Sequence, residues 1–328
     1  MIAINKELLE NNILRYEGDI ELHLLKVKSK LDLWLKKSTI GTKANLRNLQ
    51  DDEKLYLRFL KRNLSKIVKA SPNEMKCYLI FFEKIIPSSK RGNNNFKDFK
   101  DALLTKMGYS LLRSGDMKSS IEPFYPKFYS NVGIKACVYC NSQLTICVDK
   151  RGGQKSAKFQ VDHFYPKSEY PFLSISFFNL YPSCANCNLH KKEEYIDFEL
   201  YSSESKPKSN LLFELDKKSL ALFRINKKVS ELKINFKGKE YKQYNNLFSI
   251  QSIYDTQKDL AAEIVLKSEV YNNSYKKALH KSFKKLYPNE FIPFNRFIVG
   301  NYTDSKDIHK RPMSKFMQDI ARDLGIID

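Results

Sequence analysis

Through the first 130 residues, apolar side chains recur every three to four positions. Between residues 20 and 35 they fall at Ile20, Leu24, Val27, Leu31 and Trp34, a spacing that gathers them on one helix face. A second stripe runs through Tyr56, Phe59, Leu60, Leu64 and Ile67, behind Asp51 and Asp52, either of which can cap it. A third spans residues 73–86 and stops at Pro87. A fourth, over 96–109, sets Phe96, Phe99, Leu103 and Met107 in phase. Between the last two, residues 88–95 read SSKRGNNN, polar and glycine-containing, which predicts a loop. These stripes are most simply core packing. Pro123 and Pro126 then interrupt the chain.

The period changes beyond that point. Residues 144–148 and 158–163 carry short β-rich patterns, with a turn composition (DKRGG) at 149–153 between them. Residues 177–181 predict a further short strand, and 184–195 a helix. The stretch 201–209, YSSESKPKS, reads as an exposed connector. Residues 222–225 and 232–236 predict a small hairpin. A long helical region over 252–286 carries Leu260, Ile264, Ala278, Leu279, Phe283 and Leu286 and stops at Pro288. The last helix starts near Pro312, carries Met313, Phe316, Met317, Ile320 and Leu324, and ends at Gly325. The expected fold class is α+β and mainly helical. Three regions follow: helical over 1–130, a compact centre over 131–200, and a mixed, mostly helical region over 201–328. No internal repeat, Walker-type loop or Rossmann-type glycine pattern is present.

Composition narrows the picture. Of 328 residues, 42% are hydrophobic and 13% aromatic, which suits a packed core. No apolar run reaches the ~20 residues of a membrane span. Residues 1–12 carry Glu7 and Glu10 and no apolar stretch of signal-peptide type, so a cytoplasmic location is expected. The formal net charge of +20 points to a polyanionic partner, nucleic acid first. A Lys- and Asn-rich composition also makes a chain basic without any such partner.

Six cysteines are present, four of them in two CxxC pairs: Cys137 with Cys140, and Cys184 with Cys187. Two such turns can supply four thiolates to one tetrahedral Zn²⁺. That shell is closed to water, so the zinc is expected to be structural. Cys147, in an apolar run, and Cys77 read as small core residues. Between the pairs lie Asp162-His163 and Asn179. Asn188 follows Cys187 directly, and His190, Lys191 and Lys192 come next. On a helix His190 stands about 200° around the axis from Asn188, which excludes it as a shared ligand. His23, His280 and His309 read as packing or surface residues.

This ordered set, CVYC, DHFYPKS and NLYPSCANCN, resembles the HNH endonuclease family, in the subgroup whose ββα-metal core is braced by a CxxC…CxxC zinc. The resemblance covers residues 137–192. It implies that His163 is the general base that activates water, and that Asp162 is the acidic ligand of a catalytic divalent ion. Asn179 would be the central Asn that holds the loop. Asn188 would be the second protein ligand, at a position where many members carry His. This chain is therefore an HNN variant, whose catalytic metal has no imidazole. The chemistry is consistent with that assignment. A histidine titrates near neutrality, as a base for phosphodiester hydrolysis must. Oxygen ligands favour Mg²⁺ or Mn²⁺. Lys167, Lys191 and Lys192 flank the centre as candidate phosphate contacts, or as solvated surface in a Lys-rich chain. The architecture is also similar to the HNH subunits of Septu-type and retron-linked antiphage systems. The HNH resemblance implies a DNA substrate, although the motif does not distinguish DNA from RNA, and the second likeness implies an ATPase partner on another chain, since no P-loop occurs here. The alternative is a non-catalytic, zinc-stabilised module that binds nucleic acid or protein. Such a module needs neither Asp-His between its knuckles nor Asn after the last Cys. If the two jobs are separable, losing a cysteine unfolds the core, whereas losing His163 leaves an intact, inert protein.

Overall fold

Helices form where the three-to-four stripe is unbroken and something satisfies the first amides. The computed structural model describes residues 3–41, 46–115, 122–149, 155–204, 209–239, 241–288 and 293–327. Glu17–Lys37 is one helix that buries Ile20, Leu24, Val27, Leu31 and Trp34. Asp51–Lys69 is the next. Its cap is Gln50, in a capping box with Glu53, and the two aspartates sit in the first turn instead. Pro72–Ile85 follows with a Ser71–Glu74 box. The helices meet through aromatic rings: Tyr56 lies 4.4 Å from Phe82 and 5.3 Å from Phe99, centroid to centroid.

The 88–95 segment is not the loop its composition predicts. Ser88–Arg91 makes a helical turn, and the next helix, Asn94–Met107, starts inside the asparagine run. The reason is a cap: the Asn93 side chain accepts from the Phe96 amide at 2.7 Å. The predicted 96–109 helix breaks at Gly108, whose φ of +74° is left-handed. A short helix, Tyr109–Ser114, then turns away.

At the centre, strand Gln160–His163 pairs antiparallel with Leu180–Ser183, setting Asp162 opposite Tyr181 and His163 opposite Leu180. Helix Ala185–Lys191 follows, completing a ββα unit. The predicted 177–181 strand is displaced. Phe177–Asn179 is a 3-10 turn, and the strand begins at Leu180. The helix also ends before residue 195, because Lys192 takes a positive φ of 50°. A second hairpin joins Cys147–Asp149 to Lys155–Ala157. Residues 150–153 of the expected turn lie outside the described residues.

The C-terminal hairpin is Leu211–Leu215 with Ile234–Gly238. The predicted partner at 222–225 is instead part of helix Lys217–Asn226, which Asp216 initiates by accepting from the Ser219 amide at 2.9 Å. The 201–209 connector is partly ordered: Tyr201–Ser202 pairs with Ile4–Asn5, and residues 205–208 lie outside the described set. The 252–286 region divides into Ile250–Asp255, Lys258–Val270 and Asn273–Leu286. The last helix, Ser314–Asp323, starts after Met313 rather than at Pro312, since Met313 has a φ of 64°. Cys77 is exposed and Cys147 half-buried, so Cys77 is not a core residue.

The chain is α+β and mainly helical, with every described sheet two-stranded. One hydrophobic core runs from Ile4 to Ile327 through all three regions. Among the described residues, no helix is long and apolar enough to cross a membrane.

Candidate metal centre and cleft

The first CxxC sits on a tight turn closed by the Ala136–Leu144 bridge. Inside it, the Cys137 amide donates to Gln143 O at 2.9 Å and the Asn141 amide to Cys137 O at 2.8 Å. Asn141 takes a left-handed φ of 54°, which Asn tolerates better than most residues. The second CxxC opens the helix of the ββα unit. All four cysteines are buried, and their sulfurs lie within 4.8 Å of one another. Cys140 Sγ and Cys184 Sγ are 3.9 Å apart. A tetrahedral ion with metal–sulfur bonds of ~2.3 Å separates its sulfurs by about 3.8 Å. The Cys184 amide donates to Cys137 Sγ at 3.3 Å and the Cys187 amide to Cys184 Sγ at 3.5 Å. Sulfurs carrying negative charge accept such bonds best. The four residues are thus positioned to hold one metal ion, and an all-thiolate set suits zinc.

The C-terminal region grips this turn. Tyr244 donates its hydroxyl to Tyr139 O at 3.1 Å and Tyr254 to Cys140 O at 2.8 Å. The Asn141 amide group donates to Ile308 O at 3.0 Å, and its Oδ1 accepts from the Lys315 amide at 3.0 Å.

Asp162 and His163 end the first strand of the ββα unit, and both are buried. The Asp162 carboxylate accepts at Oδ2 from the Tyr139 hydroxyl at 2.5 Å and pairs there with Lys191 Nζ at 3.1 Å. Lys191 Nζ also donates to His163 O at 3.0 Å. Burial raises the Asp162 carboxyl above its usual range, while Lys191 and the Tyr139 hydroxyl pull it back. The Lys191 side chain has 0% exposure. It is therefore not a phosphate contact, because its charge already answers a buried carboxylate.

His163 Nε2 lies 3.0 Å from Ser174 O. A carbonyl only accepts, so Nε2 carries the hydrogen and Nδ1 is left to take a proton. The His163 ring lies 4.8 Å from that of Tyr109, whose hydroxyl donates to Val161 O at 3.1 Å. Burial, then the nearby Lys167 charge, pushes the imidazole down to about 3, so His163 does not titrate near neutrality as the sequence alone predicts; it stays neutral, and is a weaker base than a free imidazole. Asn179 is buried and closes the loop between the strands. Its Oδ1 accepts from the Tyr165 amide at 2.7 Å, and its Nδ2 donates to Tyr165 O and Leu173 O at 3.1 Å each. That loop carries the Ser174 carbonyl. Asn188 donates from Nδ2 to Gln160 Oε1 at 2.5 Å, which orients its own Oδ1 as an acceptor.

Asp162, His163 and Asn188 line one cleft of about 330 Å³, together with Arg113, Lys167 and Lys192. Lys167 Nζ stands over the Tyr109 ring at 4.7 Å from its centroid, and burial lowers its pKa. His190 is exposed and lines no part of this cleft. Sequence reasoning missed Arg113, Tyr109, Gln160 and Tyr139. No motif marks the first two, which come from the helix after Gly108. Gln160 is two residues before Asp162, on the same face of the strand, and Tyr139 lies inside the first CxxC, so both had a positional signal.

No family model matches the sequence, and no solved structure matches it. Over 52 residues the chain is 40% identical to the Septu protein PtuB of Bacillus thuringiensis. That stretch is 16% of this chain and 17% of PtuB, so the likeness spans a small part of either protein.

Proposed function

We propose that this chain is a metal-dependent endonuclease of the HNH type that hydrolyses DNA phosphodiester bonds. The observation that carries the proposal is the tethered base. His163 is fixed through Nε2 with Nδ1 left to accept, in a cleft that also holds Asp162, Asn188 and three cations. Asn179 holds the loop, the loop holds Ser174 O, and Ser174 O holds the imidazole. Nδ1 then takes the proton of the attacking water. Asp162 and Asn188 offer a carboxylate and an amide oxygen, hard donors that fit Mg²⁺ or Mn²⁺. When bound, such an ion supplies positive charge to the phosphate in the transition state. Arg113, Lys167 and Lys192 neutralise flanking phosphates. Water attack needs no 2′-hydroxyl, so DNA as the substrate follows from the family resemblance. The likeness to PtuB supports a role in Septu-type antiphage defence; a cytoplasmic location and an ATPase on another chain follow from the sequence and the family resemblance alone.

The test is cleavage of plasmid DNA by purified protein with Mg²⁺ or Mn²⁺. His163→Ala is expected to lower the rate by about 100-fold or more while zinc content and circular dichroism stay as in the wild type. Cutting by that variant at the wild-type rate would remove His163 from the mechanism. One observation favours a non-catalytic binding module: Asp162 and His163 are only 4% and 7% exposed. Tight, salt-sensitive DNA binding without cleavage, with Mg²⁺ or Mn²⁺ and the partner ATPase present, would support that second function.

A further inference from the structure

Both halves of the cysteine frame reach the same oxygen atom. Tyr139 lies between Cys137 and Cys140, and its hydroxyl donates to Asp162 Oδ2. Lys191 lies four residues after Cys187, one turn further along the same helix face, and its Nζ pairs with that same Oδ2. We propose that Tyr139 and Lys191 are positioning residues that hold Asp162 by Oδ2 and present Oδ1 to the divalent cation. This rests on the function proposed above.

Neither contact is incidental. The Tyr139 ring stacks on Phe248 at 4.9 Å and 15°, and its carbonyl is held by Tyr244. The phenol therefore points where the cysteine turn sends it. Lys191 has no exposed side-chain surface and bridges Asp162 to His163 O, so one cation fixes both residues of the Asp-His pair to the helix that carries Asn188. Asn188 is in turn oriented by Gln160, on the Asp162 strand. The cation site and the cysteine frame are thus one hydrogen-bonded unit. Partners of metal ligands typically carry 10- to 100-fold in metal affinity. A merely bracing role, strand to helix, predicts no such effect once the fold is intact.

The experiment is Mn²⁺ titration of the full-length, zinc-loaded protein, followed by electron paramagnetic resonance. Wild type is compared with Asp162→Asn, Tyr139→Phe and Lys191→Met, with zinc content and thermal midpoint recorded for each. Tyr139→Phe deletes one hydroxyl and keeps the stacked ring. It is expected to weaken Mn²⁺ about 10-fold with one zinc retained. Lys191→Met is expected to weaken Mn²⁺ by about 10- to 100-fold. If Lys191→Met loses zinc or fold, Tyr139→Phe alone decides. Wild-type Mn²⁺ affinity in Tyr139→Phe and Lys191→Met, with loss in Asp162→Asn, overturns the positioning role and leaves the nuclease proposal standing. Tighter Mn²⁺ in Lys191→Met also overturns it, because Lys191 would then compete with the ion. No Mn²⁺ binding in wild type, or unchanged binding in Asp162→Asn, defeats the cation site itself and this proposal with it.

Discussion

Asn179 commits both ends of its amide to the loop that steadies His163. Asn179→Ala would strand the Tyr165 amide and two carbonyls in a buried place, at a cost of about 2–4 kcal/mol. Urea denaturation should show that loss, and the proposed cleavage should fall with it because Ser174 O no longer fixes the imidazole. Asn179→Asp keeps the acceptor but loses both donors, so it should not recover stability. The position of Asn179 between Asp-His and the last CxxC was legible in the sequence. Its three partners were not, because they are backbone groups that any sequence supplies. Lys191 teaches a different lesson. Adjacency to Lys192 suggested a solvated pair, yet helix phase puts Lys191 one turn beyond buried Cys187 and turns Lys192 outward. Periodicity was available there, and proximity in sequence was the wrong guide.

Element existence followed the apolar stripes, and element boundaries followed the caps. Gln50, Asn93 and Asp216 each moved or created a helix start that stripe counting alone did not place. The 222–225 cluster looked like a strand because four residues cannot distinguish the two periods. Gly108 shows how a boundary can be tested. A Cβ built there would meet His23 Cε1 at 2.9 Å, on a backbone with φ +74°. Gly108→Ala should therefore cost about 1–2 kcal/mol from the left-handed backbone alone, measured by thermal or urea unfolding. The same junction has a pH signature. His23 donates its Nε2–H to Met107 O at 2.9 Å. Burial lowers its pKa below the ordinary value, and the Met107 bond opposes that shift. Below about pH 6.5 the unfolded chain takes up a proton that the folded chain does not. Stability from neutral His23 is thus complete above that pH and declines as pH falls toward the folded pKa. His23→Gln should flatten this part of the stability–pH curve; an unchanged slope would show that His23 titrates alike in both states.

Across the whole molecule, the cysteine turn joins regions that look separate in sequence. Tyr244 and Tyr254 reach back 105 and 114 residues to the carbonyls of Tyr139 and Cys140. Nothing in the stripes of residues 241–255 marks those hydroxyls, since an inward tyrosine reads only as core. The CxxC spacing announced the frame, but not how much of the chain is built on it. Four buried sulfurs this close are positioned to hold a metal ion, and as thiolates they would repel one another without it, so metal release should leave the turn without its organising charge. Chelation, or Cys140→Ser, is expected to remove one equivalent of metal and expose more than residues 137–192. Hydrogen exchange should then rise together at 137–143, 244–254 and 308–317, because Asn141 and the two tyrosines tie those segments to the turn. Exchange confined to 137–192 would mean that the C-terminal region stands without the frame. The same release should abolish Mn²⁺ binding at Asp162 through Tyr139, whereas His163→Ala should leave it in place. On the proposed function, the two jobs are then separable in one direction only: the proposed base can be removed from an intact frame, but the frame cannot be removed from beneath the proposed cation site.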